Sequence, residues 1–565
     1  MFHLQIRLTA CVDKIITTDI TFGLMMILKI VLYNNVSVAF VLFSIIVSYI
    51  FIVNQDKHIP DLMANNGLLF ISNAAKAKYL CSKVSKLVKR VLYIKFINGP
   101  DSSLPVVNRE INNLYSRANQ CGDLDVRLML KPIENVKKIR TSYPIDIIMY
   151  DSELAKETNS LKQSVENIKE EHQFKTVESE GSVCFEEYSE PVKTYEYVAL
   201  GGTFDRLHNG HKMLLSHAAL RATKHVTVGV TDVNMIQSKT LWELIEPIDK
   251  RIKAVHEFLT DINPDLEYDV IPLRDLYGPT KDDPRFQLIV VSEETMRGAD
   301  KINEKRKEKG LPLLDVHVIG LAQDLQKQFA EEEAKISSSN RRMRLLGTFL
   351  KSPVPNPNIP DWPYVIGLAG GIASGKSSIA DKLRLKGAAI VNCDIIAHEL
   401  YKPGLPLNRT LSEEFGKDII TETGEVDRRK LGQIVFSDKE QLEKLNKIVW
   451  PAVIEEAMRR IQALGNEGYR VVVMEAAVMV RAKWYHYCHQ LWAVIIPPNE
   501  AIKRLQTRNN LSEEEARQRV ESQPPNSEQV AMANVVFSPY WSYEYTSGQI
   551  DRAWEHLQAY LNTRK

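Results

Sequence analysis

The stretch Tyr195-Glu196-Tyr197-Val198-Ala199-Leu200-Gly201-Gly202-Thr203-Phe204-Asp205-Arg206-Leu207-His208-Asn209-Gly210-His211 decides how the chain is read. Its first six residues have the apolar character of a short strand. Gly201 and Gly202 let a backbone approach a ligand closely. An apolar-periodic helix over Met213–Leu220 follows. A helix N-terminus placed after such a turn offers unpaired N–H groups to phosphate oxygens. His208 and His211 are three apart, so on a helical turn they share one face. Two imidazoles there can donate hydrogen bonds to a phosphoryl group under attack. The competing reading, a turn with core histidines, suits a lone histidine better than this combination.

Tyr364–Leu368 is a second strand, leading into Gly370-Gly371-Ile372-Ala373-Ser374-Gly375-Lys376-Ser377. This octapeptide satisfies G-x-x-x-x-G-K-[ST]. Loop amides wrap the β-phosphate, Lys376 reaches the β and γ oxygens, and Ser377 ligates Mg²⁺. The helix that Ser378 opens is expected to run to Leu385. Ala389–Asn392 reads as the next strand, running into Cys393-Asp394-Ile395-Ile396-Ala397-His398, and Arg470–Met474 as a buried strand ending in Glu475. Strands alternating with helices make the fold class α/β.

The first segment closely resembles the nucleotidylyltransferase superfamily, whose hallmark is HxGH. Ile336-Ser337-Ser338-Ser339-Asn340-Arg341-Arg342 resembles that family's ISSTxxR segment. The resemblance implies a Rossmann-like domain that binds ATP through Gly201, Gly202, Thr203, Phe204, Gly210, Ser337, Ser338, Ser339 and Arg342. His211 is then the main donor to the pentavalent centre, assisted by His208. Lys239, within Ser238-Lys239, falls where phosphopantetheine adenylyltransferases place a lysine on the substrate phosphate; the alternative is a solvated lysine. The implied chemistry is in-line attack of a substrate phosphate on the α-phosphorus of ATP. The nucleophile is already an anion, so catalysis is positioning plus charge stabilisation.

The second half resembles the dephospho-coenzyme A kinases, P-loop NTPases with a helical lid. That resemblance implies ATP at Gly370–Ser378 and Asp394 as the base that takes the proton of the ribose 3′-hydroxyl. Arg508 is the clamp on the transferring phosphate. Arg428, in Gly424-Glu425-Val426-Asp427-Arg428-Arg429-Lys430-Leu431, holds the acceptor together with Arg519 and Gln523. The lid body is expected over Ser512–Ser522, opened by a Ser512–Glu515 capping box. Asp394 as a helix cap, Arg428 in an ion pair with Asp427, and Arg519 on a solvated face stand as the bland alternatives. Three residues depart from the family: Asn392 and Glu475 where it has Asp, and Arg481 where relatives often have Glu.

Each half alone fits several substrates: the first a cytidylyltransferase or nicotinamide-nucleotide adenylyltransferase, the second a uridine or guanylate kinase. Their order in one chain resembles the bifunctional coenzyme A synthases of animals. It implies the last two steps of coenzyme A synthesis, with ATP as substrate, Mg²⁺, and 4′-phosphopantetheine and dephospho-CoA as small-molecule partners. Two alternatives stay open: a membrane-tethered scaffold with a weakened kinase half, and an adenylyltransferase–kinase pair for another nucleotide cofactor.

The rest of the 565 residues sets boundaries. Composition is that of ordinary globular protein, and a net charge of +1 gives no whole-chain attraction to nucleic acid. None of the six cysteines forms a CxxC pair, as expected of reduced thiols in a cytosol-facing enzyme. Val36–Val53 is an uncharged apolar run just long enough to cross a hydrocarbon core. A buried core helix is the competing reading. Basic residues cluster after the run, from Lys76 to Lys95, which orients the C-terminal bulk to the cytosol. The resemblance implies the mitochondrial outer membrane as first candidate; a product starting at Met63 would be cytoplasmic. The expected layout is an extension over 1–62 with its membrane segment at 36–53, then a basic surface helix (Leu68–Val91) and small α/β region over 63–150. A flexible linker follows over 151–192, an adenylyltransferase-like domain over 193–350, a Pro-rich linker over 351–362 and a kinase-like domain over 363–565. No internal sequence repeat is visible.

Overall fold

The computed structural model describes residues 63–72, 76, 83–97, 104–118, 121–122, 124–130, 138–178, 192–436 and 438–564. Within these the chain folds around three five-stranded sheets in which every neighbouring pair is parallel. The run Val36–Val53 lies outside the described residues. Among those described, no helix is long and apolar enough to cross a membrane.

The first sheet has the order β3-β2-β1-β4-β5, built from β1 (Ala64–Ile71), β2 (Val88–Phe96), β3 (Asp125–Met129), β4 (Ile145–Asp151) and β5 (Ile168–Val177). Helix α1 (Leu104–Ala118) and the short α2 (Thr158–Gln163) belong to it. Two expectations are corrected here. The basic surface helix expected over Leu68–Val91 does not span that range: Leu68–Ile71 and Val88–Val91 lie in the central strands β1 and β2. Nor is 151–192 all linker, because β5 pairs with β4 from Ile147↔Gln173 to Asp151↔Val177. Its sequence IKEEHQFKTV is mostly exposed, which is why composition hides it.

The second sheet, β10-β9-β6-β7-β8, comprises β6 (Tyr195–Gly202), β7 (Ala222–Thr231), β8 (Glu267–Leu273), β9 (Leu288–Ser292) and β10 (Asp315–Ile319). Its helices are α3 (Asn209–Arg221), α4 (Ile248–Ile262), α5 (Met296–Glu308) and α6 (Ser338–Leu345). The third sheet, β12-β13-β11-β14-β15, comprises β11 (Tyr364–Gly370), β12 (Ala389–Asn392), β13 (Val471–Glu475), β14 (Gln490–Val494) and β15 (Val535–Phe537). All residues of β11, β13 and β14 are buried, as strands covered on both faces must be. Around it lie α7 (Lys376–Leu385), α8 (Cys393–Leu400), α9 (Pro406–Phe415), α10 (Arg428–Phe436), α11 (Lys439–Asn466), α12 (Pro498–Asn509), α13 (Glu513–Glu521), α14 (Asn526–Met532) and α15 (Tyr543–Thr563).

The second and third sheets are not beads on a string. Leu241, Leu244, Met343 and Leu346 form one buried cluster with Ala493, Ile495, Val530, Val536 and Tyr545. Tyr545 Oη donates to Met343 O over 3.0 Å, and Gly347 N to Val536 O over 2.9 Å.

Candidate active sites

Helix α3 starts with an unusual cap. His208 is its N-cap, and its Nδ1 accepts from His211 N at 3.3 Å, while His211 Nδ1 accepts from His208 N at 3.5 Å. The two rings stack with centroids 3.7 Å apart, and Phe204 lies 5.2 Å from His211 on the other side. A Cβ on Gly210 would sit 3.2 Å from the His208 ring, so glycine is what lets the pair close up. Burial, then the charges of Arg341, Lys239 and Arg342, push His211 down to about 3. Burial first, then His211 and Arg341, push His208 well down too. Both imidazoles are therefore neutral near pH 7 and present N–H donors rather than charge. Lys239 also faces this site, and burial and Arg342 lower its ammonium.

The residue that joins the two halves of this site is Asp205. It is fully buried and takes an ion pair from Arg342 (2.7 Å) as well as the Glu246 amide (2.9 Å). Its carbonyl accepts from Ser338 Oγ at 3.0 Å. Arg342 also donates through Nε to Thr240 O. The Arg342 guanidinium is buried and engaged by Asp205, and its charge still acts on His211. The arginine charge felt first by His211 is that of Arg341, one residue earlier. Ser337 caps α6, accepting from Asn340 N, and Ser339 Oγ accepts from Arg342. The serine hydroxyls thus build the loop, and Ser337 also engages the Asn340 and Arg341 amides of α6. Thr203 lies between Thr231 Oγ1, which bonds its hydroxyl, and Arg251, which donates to its carbonyl over 2.7 Å. Gly201 and Gly202 end β6 beside it. Phe204 is fully buried and packs against His211. Asp205 and Arg251 were not singled out from sequence. Asp205 follows directly on Gly201-Gly202-Thr203-Phe204, whereas Arg251 has no local signal.

At the second site, β11 delivers the P-loop. A Cβ on Gly370 would meet Ser374 Oγ, Val494 O and Lys376 Cγ at 2.7–2.8 Å, and Gly375 has φ +92°. Only glycine fits both places. Lys376 Nζ bonds Gly370 O (2.9 Å) and Gly371 O (3.2 Å). Burial lowers its pKa, and Asp394 and Glu475 act against that. Ser374 Oγ is buried without a hydrogen-bond partner. Residues 373–378 face Lys503, Arg504 and Arg508 of α12 across a cavity of about 660 Å³. A second cavity of about 620 Å³ meets the first at Ser377 and is lined by Asn392 and Glu475. There Ser377 Oγ donates to Glu475 Oε1 (2.7 Å) and Asn392 Nδ2 to Glu475 Oε2 (2.8 Å).

Helix α8 is capped by Asn392, whose Oδ1 accepts from Ile395 N at 3.0 Å. Asp394 is thus not the cap; it is exposed in the first turn. Arg428 does not pair with Asp427, which caps α10 instead; its Nη1 lies 2.7 Å from His398 Nε2. Asp394 and Arg428 both act on His398, so the structure brings these three together. The lid helix α13 carries the expected capping box, Glu515 N to Ser512 Oγ and Ser512 N to Glu515 Oε2. Gln523 Oε1 accepts the Ile372 amide at 2.7 Å, which fastens the end of the lid to the P-loop. Arg519 is exposed and lines neither cavity.

Comparison with known proteins fits this geometry. Residues 364–539 match the family model for dephospho-CoA kinase, and residues 199–344 match the cytidylyltransferase-like model. A dephospho-CoA kinase from Carboxydothermus hydrogenoformans is 40% identical over 186 residues, 33% of this chain and 90% of that protein. One from Bacillus thuringiensis is 41% identical over 174 residues, 31% of this chain and 87% of that protein. A solved dephospho-CoA kinase from Campylobacter jejuni is 24% identical with a TM-score of 0.28, covering 34% of this chain and 96% of that one. Through its C-terminal third the chain belongs to the dephospho-CoA kinase family, with a cytidylyltransferase-like nucleotidyltransferase domain fused ahead of it.

Proposed function

We propose that the chain performs the last two steps of coenzyme A synthesis. The observation that carries this is the pairing itself: a phosphate site with two neutral histidines stands ahead of a dephospho-CoA kinase domain, so the product of the one is the substrate of the other. In the first step a phosphate oxygen of 4′-phosphopantetheine attacks the α-phosphorus of ATP, and the bond to the β-phosphate breaks to release pyrophosphate. His211 and His208 donate N–H bonds to the developing pentavalent centre, and Lys239 and Arg341 supply positive charge. In the second step the ribose 3′-hydroxyl of dephospho-CoA attacks the γ-phosphorus, its proton passes to the Asp394 carboxylate, and ADP leaves. Lys376 and the P-loop amides hold the β and γ oxygens, with Arg508 facing them from α12. Ser377 and Glu475 offer oxygen donors only, which suits Mg²⁺ completed by phosphate and water. Mg²⁺ bound there supplies positive charge to the leaving phosphates. We also assign a membrane-anchoring role to Val36–Val53, which deletion of residues 1–62 followed by membrane fractionation tests.

The experiment for the two reactions is a coupled assay on the full chain with 4′-phosphopantetheine and ATP. Coenzyme A should form with transient dephospho-CoA. Dephospho-CoA without coenzyme A would refute the kinase assignment, and absence of both products would refute the proposal.

A further inference from the structure

Counted within each domain, the first and second sheets share one strand order, 3-2-1-4-5, with every pair parallel. Such sheets hold nucleotides outside the carboxyl ends of the two strands where the order reverses. In the second sheet that place carries the histidine pair. In the first it lies between β1 and β4, where the described side chains bond one another. Asp151, fully buried, accepts from Ser72 N (2.6 Å) and Ser72 Oγ (2.7 Å). Lys76 Nζ lies 2.7 Å from Glu153 and 3.8 Å from Asp151. The strand order is repeated, but no histidine lies between His58 and His172, so the histidine pair is not.

The surface of the first domain is instead directed at helix α3. One residue beyond His211, Lys212 is 3% exposed, and its Nζ lies 2.6 Å from Asp125 Oδ1 at the start of β3. Lys212 N donates to His208 O over 3.0 Å, so a shift of Lys212 is felt at the cap. Further along the same helix, His217 Nε2 lies 2.9 Å from Asn112 Oδ1, and Arg221 donates to Asn108 Oδ1 over 2.8 Å. Both contacts reach α1. On α4, Asp261 collects Ser142 N, Ser142 Oγ, Tyr93 Oη and Arg127 from the first domain. Burial raises the Asp125 carboxyl, but Lys212 and Arg127 outweigh it and hold it at about 2, so the carboxylate is ionised at neutral pH, while burial lowers the Lys212 ammonium and Asp125 acts against that.

We infer that residues 63–178 form a catalytically silent repeat of the nucleotidyltransferase fold that sets the placement of the histidine-bearing helix, with Asp125 and Lys212 as positioning residues for adenylyl transfer. An unpaired Lys212 ammonium cannot stay in its buried place, and the helix start moves with it. This inference rests on the proposed role of His208 and His211.

The test is Asp125→Asn in the full chain, with dephospho-CoA formation and the kinase step measured on the same preparation. The expected result is a loss of roughly tenfold or more in kcat for adenylyl transfer, with KM for ATP nearly unchanged, the acidic limb of the pH profile displaced, kinase kcat retained, and partial rescue by Asp125→Glu. Unchanged adenylyl kcat and pH profile would overturn the inference. Equal loss of both activities would signal misfolding, and the double variant Asp125→Leu, Lys212→Met then decides. If that chain keeps its kinase activity, reduced adenylyl kcat upholds the inference and wild-type kcat overturns it. Failure of the wild-type chain to make any dephospho-CoA would instead remove the functional reading beneath it.

Discussion

Asn392→Asp probes the residue that lies against Glu475 in the kinase site. The Asn392 amide donates to Glu475 Oε2 at 2.8 Å, while Ser377 Oγ donates to Glu475 Oε1 at 2.7 Å. Replacing the amide with a carboxylate puts a second negative charge about 3 Å from the first. At an effective dielectric of about 20 that repulsion is about 5 kcal/mol. The pair avoids it by retaining a proton, as two carboxylates sharing one site do. Glu475 then competes less well for the Ser377 hydroxyl, and kinase kcat/KM falls with a new ionisation in its pH profile. Glu475→Asp alone also costs activity, because its carboxylate withdraws by one methylene and leaves the Asn392 amide without its acceptor. The double variant separates two carboxylates and should outperform both singles, a coupling on the order of 1–3 kcal/mol. The assay is coenzyme A formation from dephospho-CoA and ATP across the neutral to alkaline range, with adenylyl transfer as the control for folding. Wild-type kcat/KM and an unchanged pH profile for Asn392→Asp, or strict additivity in the double variant, would refute the reasoning.

Other outcomes follow from the same geometry. His211→Ala should lower adenylyl transfer by about 10²–10⁴-fold and spare the kinase, while Lys376→Ala should do the reverse; product analysis by chromatography separates the two. Asp205→Ala strands the buried Arg342 guanidinium, so a loss of about 3–5 kcal/mol is expected in denaturant unfolding. Burial, then Arg221 and His317, hold His217 down at about 3. Its unfolded form takes a proton below pH about 6.5 and its folded form does not. Stability should therefore be complete above that value and decline as pH falls toward about 3, by about 2 kcal/mol at about pH 5 from this residue; thermal unfolding at several pH values measures it.

The parts legible in sequence were those whose geometry is written locally. A glycine turn between strand and helix specifies a phosphate cradle within a few residues, so both loops, their flanking strands and the Ser512–Glu515 box could be read directly. The misreadings lie where neighbours far along the chain decide. Arg341 and Arg342 are about 100° apart on α6, and only the position of Asp205 fixes which one turns inward. Leu68–Ile71 and Val91–Ile94 are short apolar runs, which periodicity cannot assign between buried strand and helix. β5 is an edge strand held by backbone pairing to β4, and its charged side chains carry the signature of a linker. The repeated topology of the first two sheets is invisible in sequence for a related reason: the backbone order is kept while the histidine motif is not repeated.

Strain explains why the catalytic loops need so much outside support. Phe204, Arg206 and Leu241 in one domain and Ala373 in the other hold positive φ without being glycine. Such conformations cost about 1–3 kcal/mol each and persist only where the surroundings over-determine them. Arg206 is held by Asp205 and by Leu244 O at 2.7 Å. Ala373 packs with Ile372 against Ile502, Leu505 and Ala516 of the lid helices. Leu241 is held from outside its own domain, in the cluster it shares with the kinase, and Asn526 of α14 donates to Glu243 Oε1 at 3.1 Å. The loop bearing Lys239 thus has the kinase domain as its wall, while helix α3 has the first domain as its own. Neither the histidine pair nor the lysine opposite it is positioned by the nucleotidyltransferase fold alone, which gives the fusion a structural reason beyond supplying two activities in sequence.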